Sequence, residues 1–555
     1  MAATATKSDP VASLLPDAIR QCRKQRRQKK MADSTGASLT GGEVLARAFA
    51  LRRVLRRHFL AGDESNVGII MPPTVAGAVV NLALALDRRT PVNLNFVLSA
   101  EALQQSIEQA GIRHVITSRK VLERLSLSFD AETIILEDIP PLVSKRDKAV
   151  AGVMGMVLPQ SLLIRRLGVD KVHENDLFTV LFTSGATGEP KGVMLSHRNI
   201  ASNCRAMAHR IGIREDDVLV GVLPFFHAFG LTVTLWMPLV SNASVAYHTS
   251  PLEPDAIGKV AREHRGTIIL ATPTLLRLYT KQINAEDFKW VTMAATGAER
   301  LKPEIASRFE AKFGTRPFEG YGTTETSPAI AFNVPADRWD GDGEAPIKAG
   351  TVGQPIPGVT IRVVDRETGQ KAAPGQEGVL WVSGPNVMLG YLDRPDLTAS
   401  VLQDGWYNTG DIVIVDEEGF ITITGRQSQF SKVAGETIPH LLIEERIAHV
   451  LAEYDDEELH AAVTAVPHAR RGERIVVVHS PLPVSPDNIT HRLRELGLPM
   501  LFIPSPDSFV EVESLPVLGS GKVDLRALRA IAQAAFDEQG DRVAGGGFAA
   551  RRQGI

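Results

Sequence analysis

The sequence predicts an α/β protein with a large N-terminal domain, made of α/β subdomains and a small β-barrel-like part, and a smaller α+β C-terminal domain. Up to about residue 350, short apolar runs alternate with helix-length segments, a pattern typical of largely parallel sheets. After Thr351, short alternating strands between turn-rich loops indicate antiparallel β-structure. Beyond Gly425 a helix-length segment lies among further short strands, and 555 residues are too many for one ordinary domain.

The same patterns predict individual elements in chain order. Helices are expected over Val75–Leu86 and near Leu441–Leu451. Strands are predicted at His114–Thr117, Thr133–Leu136, Leu177–Phe182, Val218–Leu223, Thr267–Leu270, Val291–Thr296, Thr360–Val364, Gly378–Val382, Ile412–Val415, Phe420–Thr424, Ala461–Val466 and Arg474–Val478. We divide the chain into a polar basic leader (1–40), a large domain (41–424), a small domain (425–540) and a disordered tail (541–555).

Composition and charge exclude several classes of protein. A net charge of -3 does not mark a nucleic-acid binder. Two cysteines, Cys22 and Cys204, cannot build a disulfide framework or a Cys-rich metal site, which fits a reducing compartment. Residues 1–12 lack the pattern of a signal peptide, and no apolar run approaches the ~20 residues of a membrane helix. We expect a cytoplasmic protein that binds no nucleic acid and meets a membrane only at its surface.

Two basic segments have alternative interpretations. Arg20–Lys30 holds seven basic residues in eleven, and it is either a solvated helix end or a docking patch for an anionic lipid or an acidic carrier protein. Lys145–Arg166 has an apolar centre, broken at Pro159, between basic flanks. This second segment is either a core helix or linker, or a peripheral contact with the inner face of a membrane.

The sharpest motif is TSGATGEPKG, Thr183 to Gly192, which follows the apolar run LFTVLF and precedes a helical stretch near Ser196. Its glycines permit a tight turn with exposed N–H groups, its hydroxyls add donors, and Lys191 adds a cation. Such a loop suits the phosphates of a nucleotide. It is not a Walker A loop, because the Gly-Lys-Ser/Thr ending is missing.

This motif resembles the signature loop of the adenylate-forming (AMP-binding) superfamily, which includes acyl-CoA synthetases, peptide-synthetase adenylation domains and luciferases. The resemblance extends in the expected order from about Gly41 to Ile531, through EGYGTTETSP (Glu319–Pro328), GWYNTGD (Gly405–Asp411), Gly425-Arg426 and LPVLGSGKVD (Leu515–Asp524). PVNLNF (Pro91–Phe96), IEQAGIRHVITSRK (Ile107–Lys120) and PFFHAFGLTVTLWMPL (Pro224–Leu239) bring it nearest to the synthetase domain of the bifunctional 2-acylglycerophosphoethanolamine acyltransferase/acyl-[acyl-carrier-protein] synthetase.

The resemblance implies an adenylate-forming enzyme fold with a mobile C-terminal lid, and it implies roles for particular residues. Lys522 neutralises charge at the α-phosphate, Thr324 contacts that phosphate, Glu325 holds Mg²⁺, and His227 lies near the carboxylate and the thiol channel. Tyr321 stacks on adenine. The other residues implied in binding ATP or the thiol acceptor are Thr183, Ser184, Gly185, Thr187, Gly188, Lys191, Gly297, Ala298, Glu299, Gly322, Thr323, Asp411 (at the ribose), Arg426 and Gly435.

The implied function is ATP- and Mg²⁺-dependent conversion of a fatty acid, with long-chain acids favoured, to acyl-AMP. The acyl group then passes to the phosphopantetheine thiol of CoA or of acyl carrier protein. The alternatives are an acyl-ACP synthetase that supplies a separate lysophospholipid acyltransferase, and a non-catalytic nucleotide-binding homologue. Ala186 and Ser428 depart from the family pattern; Ala186 removes a hydroxyl contact worth ~1 kcal/mol, which predicts weaker or slower use of ATP. Phe229–Leu239 is predicted to line an acyl pocket.

Overall fold

The computed structural model describes residues 14–125, 127–184, 190–339, 345–434, 436–454, 461–517, 523–537, 540 and 542–543. Its first part alternates helices and strands. The elements are α1 (Leu14–Lys24), β1 (Lys29–Asp33), β2 (Ser38–Thr40), α2 (Gly41–His58), β3 (Asn66–Ile70), α3 (Val75–Leu86), β4 (Thr90–Asn93), α4 (Ala100–Gln109), β5 (His114–Thr117), α5 (Arg119–Leu125), β6 (Glu132–Ile135), α6 (Lys145–Met156), α7 (Gln160–Leu167), β7 (Leu177–Ser184), β8 (Pro190–Ser196), α8 (His197–Arg210), β9 (Val218–Gly221), α9 (Met237–Val240), β10 (Ser244–Tyr247), α10 (Pro254–His264), β11 (Ile268–Ala271), α11 (Pro273–Gln282), β12 (Met293–Thr296), α12 (Pro303–Phe313), β13 (Phe318–Gly322) and β14 (Ala329–Phe332).

The second and third parts of the chain are richer in hairpins. The second part contains β15 (Gln354–Pro355), β16 (Thr360–Val364), β17 (Glu377–Ser383), β18 (Gly390–Tyr391), α13 (Pro395–Val401), β19 (Leu402–Gln403), β20 (Trp406–Val415) and β21 (Ile421–Arg426). The third contains β22 (Phe430–Val433), β23 (Glu436–Pro439), α14 (His440–Ala452), β24 (Ala461–His468), β25 (Gly472–His479), α15 (Pro486–Glu495), β26 (Phe509–Glu511) and α16 (Leu525–Ala535).

Two sheets of the first part are largely parallel, as predicted. One has the strand order β15-β14-β13-β12-β11-β9-β10-β1-β2, and the run from β13 to β1 is parallel throughout. The other, β4-β3-β5-β6, is parallel in every pair. Parallel neighbours need long crossover connections, which the intervening helices provide. The carboxyl ends of these strands therefore share one edge of each sheet.

Antiparallel sheets make up the rest of the described fold. β18-β8-β7 forms a three-stranded sheet, and β16, β17, β19, β20 and β21 form a five-stranded one. In the third part, β23-β22-β25-β24 is antiparallel, and β26 joins it parallel to β25. This last sheet is covered on one side by Ile443 and Ile447 of α14 and on the other by Leu528 of α16, so the third part has a hydrophobic core of its own. The predicted change from parallel to antiparallel structure is confirmed.

The prediction of a separate polar leader is wrong for residues 14–40. Leu15, Ile19 and Cys22 of α1 recur at helical spacing and are fully buried in the main core. Strand β1 then enters the nine-stranded sheet between β10 and β2. Even Lys30 is fully buried, and its ammonium donates to the carbonyl oxygens of Ser241 and Ala243, each at 2.8 Å. The seven basic residues of Arg20–Lys30 led to the prediction of a polar segment, although α1 is an amphipathic helix.

The segment Lys145–Arg166 forms the two helices α6 and α7, which meet at Pro159. Helix α6 is anchored at its start by Asp147, which is fully buried and accepts from Arg53 (2.9 Å) and Arg57 (2.9 Å) of α2. Hydrogen bonds from Arg57, Ser144 and Arg53 hold the pKa of Asp147 well below its usual value. Among the described residues, every helix falls short of the length and apolarity needed to cross a membrane.

A buried ion pair joins the amino end of β9, in the middle of the nine-stranded sheet, to the loop after β14. Arg338 donates to both carboxylate oxygens of Asp217, at 2.7 and 2.9 Å, and both side chains are almost fully buried. Asp217 also accepts from the Thr267 hydroxyl at 2.8 Å. Removing one partner leaves a buried charge unpaired, so we expect Arg338→Met to destabilise the fold by about 3–5 kcal/mol.

Thermal and denaturant unfolding of the purified variant measure this loss. The matched control is Arg316→Met, because Arg316 pairs with Glu310 on the exposed surface and such pairs contribute about 0–1 kcal/mol. Equal stability of the two variants would show that the buried pair does not hold this loop.

Candidate functional site

The candidate site lies at the carboxyl edge of the nine-stranded sheet. Strands β9, β12 and β13 belong to its parallel part. The chain leaving β9 carries His227, the chain leaving β12 carries Gly297–Glu299, and the end of β13 leads into Thr323–Glu325. Because parallel strands end at one edge, motifs that are far apart in sequence converge there. This is the expected location of a ligand site in an open α/β sheet.

The phosphate-loop motif closes a hairpin between β7 and β8. Thr183 and Lys191 are directly paired across the two strands, so the two ends of the motif lie side by side. Gly192 is closely packed: a Cβ there would lie 3.1 Å from Leu392, Phe182 and Val180. Strand β8 separates the loop from α8, which begins at His197 with Ser196 as its N-cap, as expected from the sequence. Phosphate binding at this loop would therefore use the loop itself rather than the start of α8.

Glu325 and Lys191 are brought together by Tyr391, which the sequence analysis did not single out. The Tyr391 hydroxyl donates to Glu325 Oε1 at 2.8 Å, and the Lys191 ammonium lies over the Tyr391 ring at 5.6 Å from its centre. Tyr391 reaches this position because β18 pairs with β8 beside Lys191. The backbone N–H of Met388 also donates to the Glu325 carbonyl at 2.8 Å. One tyrosine thus contacts the predicted phosphate-binding cation and the predicted metal ligand.

Tyr321, Asp411 and Arg426 form a second group at the site. The Tyr321 hydroxyl donates to Asp411 Oδ2, and Arg426 Nε lies 2.6 Å from Asp411 Oδ1. Asp411 and Arg426 face each other on the neighbouring strands β20 and β21. Burial, with the Asp411 carboxylate, holds the pKa of Tyr321 well above its usual value. Only 8% of Tyr321 is exposed, so its stacking on adenine stays a prediction.

Tyr407 links these two groups. It lies in the GWYNTGD motif and is almost fully buried. Burial and the nearby Glu325 carboxylate hold its pKa well above the usual value, and Tyr391 and Tyr321 act in the same direction. Tyr407 is therefore close to both the group around Glu325 and the group around Asp411. The motif itself was a signal for Tyr407, whereas Tyr391 lies some two hundred positions from Lys191 and had none.

The segment Gly297–Glu299 forms a tight turn after β12. Ala298 has a φ of 74°, a left-handed conformation that is unusual for a residue other than glycine. Strained backbone of this kind is enriched at binding sites. Glu299 Oε2 accepts from the Thr274 hydroxyl at 2.8 Å, which ties the turn to the start of α11. The next residue, Arg300, pairs with Glu445 of α14, so the third part of the chain contacts the rim of the site.

Gly322, Thr323 and Thr324 form the turn that positions Glu325. A Cβ on Gly322 would lie 1.9 Å from the carbonyl oxygen of Pro328, so the close approach requires glycine here. The Thr323 N–H donates to that same carbonyl at 3.1 Å. Thr324 is half-buried at the tip of the turn. Its predicted contact with the α-phosphate stays a prediction.

His227 lies in a group of aromatic side chains. Its ring is 4.7 Å from that of Phe226, which packs on Phe96 at 4.9 Å. The prediction that Phe229–Leu239 lines an acyl pocket is not supported beyond its first residue. A π-helix, Gly230–Trp236, and the helix α9 that follows place the residues from Gly230 to Leu239 in the main core. Phe229 alone is half-buried, beside Gly297.

Some predicted site residues lie outside the described residues. These are Gly185, Ala186, Thr187, Gly188, Gly435 and Lys522. For Ser184 and Ser428 the side chains are not described. Most of the predicted tail 541–555 is also outside the described residues. The structure does describe the flanks of Lys522: Val517 and Val523 pair in an antiparallel bridge, and α16 follows.

The described residues fit a Mg²⁺ ion that arrives with a nucleotide. Within these residues, no group of three or more His, Cys, Asp or Glu side chains is placed to hold a metal on its own. Glu325 is half-buried, and its Oε1 is fixed by Tyr391. Mg²⁺ commonly takes one or two carboxylates and completes its coordination with phosphates and water. An oriented carboxylate close to Lys191, which is predicted to bind phosphate, matches that requirement.

Asp411 gives a test of the nucleotide-binding assignment. We expect Asp411→Asn to raise the KM for ATP by about tenfold, because the neutral amide accepts hydrogen bonds from ribose hydroxyls less strongly. Steady-state kinetics at varied ATP measure this change, and thermal unfolding reports any loss from Arg426 losing its partner. Asp416→Asn is the control, since Asp416 lies in the adjoining turn and pairs with Lys348. An unchanged KM in Asp411→Asn would contradict the assignment.

Comparison with known proteins agrees with this geometry. A family model described as AMP-binding enzyme matches residues 19–392. The chain is 33% identical over 308 residues to a long-chain-fatty-acid–CoA ligase of Bacillus subtilis (strain 168), a match covering 54% of this chain and 52% of that relative. It is 30% identical over 437 residues to a long-chain-fatty-acid–CoA ligase of Yersinia pestis, covering 78% of this chain and 75% of that one. The chain thus spans about half the length of the first relative and three quarters of the second.

A solved structure shows the same fold. The crystal structure of ATP-bound MatB from Rhodopseudomonas palustris matches with a TM-score of 0.75 at 25% identity, over 93% of this chain and 98% of that chain. The predicted adenylate-forming enzyme fold is confirmed.

Proposed function

Because the chain belongs to the AMP-binding enzyme family, whose model matches residues 19–392, we propose that it is an ATP- and Mg²⁺-dependent acid–thiol ligase acting on a fatty acid. It joins the fatty carboxylate to AMP and releases pyrophosphate, and a thiol then displaces AMP. The observation that carries the proposal is the presence of two polar groups, Lys191 with Tyr391 and Glu325, and Tyr321 with Asp411, with Tyr407 close to both. In this proposal these groups supply a cation for the phosphates, a carboxylate for the metal ion and a hydrogen-bond acceptor for the ribose hydroxyls, all at one edge of the sheet.

The first step needs charge to be neutralised at the α-phosphate. A carboxylate resists nucleophiles because it is anionic, and its attack on phosphorus concentrates negative charge on the non-bridging oxygens. In this proposal Lys522 and Thr324 meet that charge, and Lys191 holds the departing β- and γ-phosphates. Glu325 would hold Mg²⁺, which would supply further positive charge. Tyr391 keeps the Glu325 carboxylate oriented.

The third part of the chain is proposed to act as a mobile lid, with its boundary near residue 425. It has its own hydrophobic core on both faces of its sheet, which is a requirement for moving as a unit. Its described contact with the rim of the site, Arg300 to Glu445, is an exposed ion pair that breaks at little cost. In this proposal Lys522 serves adenylation, and Gly435 lies on the face that later admits the thiol.

CoA is the proposed acceptor, and a long-chain fatty acid is the proposed substrate. The support is that both relatives compared above are named long-chain-fatty-acid–CoA ligases. The alternative acceptor is acyl carrier protein, with a separate lysophospholipid acyltransferase as the user of its product. That alternative is favoured by the sequence resemblance to the bifunctional synthetase. A thioester-formation assay with each acceptor distinguishes the two.

ATP–pyrophosphate exchange with fatty acids of graded chain length tests the proposal. We expect exchange that depends on both the fatty acid and Mg²⁺, followed by thioester formation when CoA is added. Thioester formation with acyl carrier protein but not with CoA would show that acyl carrier protein is the acceptor. Absence of exchange with every acid, in protein that still binds ATP, would identify a non-catalytic nucleotide-binding homologue and overturn the proposed function.

A further inference from the structure

Two basic segments that are separate in sequence meet on one surface of the fold. Arg23 of α1 donates to the carbonyl oxygens of Met154 (2.7 Å) and Gly155 (3.1 Å) at the end of α6. At the other end of α1, the Gln160 amide of α7 donates to the carbonyl of Pro16 at 3.3 Å. Helix α1 therefore runs beside the elbow where α6 and α7 meet. Residues 145–166 hold five basic residues against one acidic residue, in a chain whose net charge is -3. Residues 14–30 hold seven against one, but Lys30 is fully buried and does not belong to this surface.

The outer face of the elbow is apolar at its centre. Val153, Val157 and Leu162 are 51%, 72% and 50% exposed, although large aliphatic side chains normally avoid water. On α6, Arg146, Ala149, Val153 and Val157 recur at spacings of three and four and are all exposed, so they form one stripe. Single exposed aliphatic residues are ordinary, but a continuous stripe of them indicates a binding surface.

Basic side chains stand at both ends of this stripe. Arg146 precedes it, and Arg165 and Arg166 follow Leu162 at the same helical spacing on α7; all three are exposed. Arg20 of α1 lies between the two contacts that join α1 to the elbow, but it pairs with Asp17 and therefore adds little net charge to this face. The acidic residue of the segment, Asp147, is fully buried against Arg53 and Arg57. The outer face therefore presents positive charge around an aliphatic centre.

The elbow is also held firmly, so the exposed stripe is a feature of the fold. The inner faces of both helices are packed: Ala151 and Met154 of α6 and Leu163 and Leu167 of α7 lie in the main core. Gly155 packs against α2, where a Cβ would lie at an ordinary contact distance of 3.8 Å from Leu45. The inner face thus accounts for the folding of these helices, and the outer stripe has no partner among the described contacts of the helices.

We propose that the elbow patch, formed by Arg146, Val153, Val157, Leu162, Arg165 and Arg166, binds an anionic lipid surface. Aliphatic side chains flanked by arginines are the composition of helices that lie in the headgroup region, where each basic residue adds attraction to anionic lipid. An acidic protein partner fits less well, because protein interfaces are enriched in aromatic residues and the patch has none. The patch lies outside the candidate active site, so its binding does not depend on the proposed reaction.

Co-sedimentation of the full chain with vesicles tests the proposal without ATP or fatty acid. We expect binding to phosphatidylcholine vesicles that contain phosphatidylglycerol, little binding to phosphatidylcholine alone, and weaker binding at high ionic strength. The double variant Val157→Asp/Leu162→Asp should bind at least about tenfold more weakly, because it places charge where the aliphatic centre would enter the lipid. Arg165→Glu/Arg166→Glu should lose about tenfold or more and should respond less to salt.

Leu252→Asp is the matched control, because Leu252 is 68% exposed at a distant loop and should bind vesicles like the parent. Every substituted side chain is exposed, so we expect all the variants to fold. Circular dichroism and ATP–pyrophosphate exchange check this. Three results would overturn the proposal: no binding to anionic vesicles, equal loss in the Leu252 control, or binding of an acidic carrier protein through the patch while vesicles are ignored. Salt-sensitive vesicle binding abolished only by the patch variants would support it.

Discussion

Lys522→Ala is expected to lower the rate of acyl-adenylate formation by about 10²–10³-fold, the usual effect of removing a group that stabilises transition-state charge. In sequence the lysine lies between Val517 and Val523, which pair in an antiparallel bridge, and α16 begins at Leu525. Truncating its side chain should therefore leave the packing of the third part of the chain unchanged. ATP–pyrophosphate exchange in the presence of fatty acid measures the effect.

Two further measurements separate a catalytic loss from a binding loss. ATP affinity should change little, because Lys191 and Asp411 remain, and synthetic acyl-AMP should still react with CoA within a few-fold of the parent rate. Arg529→Ala is the control, since it removes an exposed cation from α16, close to Lys522 in sequence. Adenylate formation by Lys522→Ala at the parent rate would contradict the mechanism proposed for this enzyme.

The fold was predictable where each element carries its own periodicity. Strand β5, His114–Thr117, and strand β16, Thr360–Val364, have the predicted bounds, and α14 differs from its prediction by one residue at each end. These segments show clear alternation or helical spacing of apolar residues, and turn residues mark their limits. Residues 14–40 were wrongly predicted to be a polar leader because the basic residues of Arg20–Lys30 dominate the composition of the segment. The inner face of α1 is nevertheless apolar and buried.

Each part of the site could be predicted from its own sequence motif, but the contacts between the parts could not. Lys191, Glu325 and Asp411 each lie in a short segment whose residue types suggest phosphate, metal or ribose binding, and the resemblance supplied their roles. The contacts between them depend on strand pairing over long separations in sequence. Tyr391 contacts Glu325 because the two-residue strand β18 pairs with β8, and no local pattern marks such a strand. The π-helix at Gly230–Trp236 likewise has no periodicity that separates a core segment from a pocket wall.

Glu325→Gln is expected to slow adenylate formation by about 10²-fold and to raise the Mg²⁺ concentration needed for half-maximal rate. An amide keeps the shape of the side chain but removes the charge that the ion requires. Tyr391→Phe should show a smaller loss of about tenfold, since it removes one hydrogen bond to a charged group and keeps the ring beneath Lys191. Exchange assays at varied Mg²⁺, with Glu310→Gln as an exposed control, measure both effects.

The double variant shows whether Tyr391 acts through Glu325. If the tyrosine only orients the carboxylate, adding Tyr391→Phe to Glu325→Gln should cost much less than it costs the parent, because the oriented charge is already gone. Titration of Mn²⁺ into protein with a non-hydrolysable ATP analogue gives the same comparison without turnover, and Tyr391→Phe should weaken metal binding there. Fully additive losses, with metal binding unmoved in Tyr391→Phe, would show that the hydroxyl contact with Glu325 has no part in holding the ion.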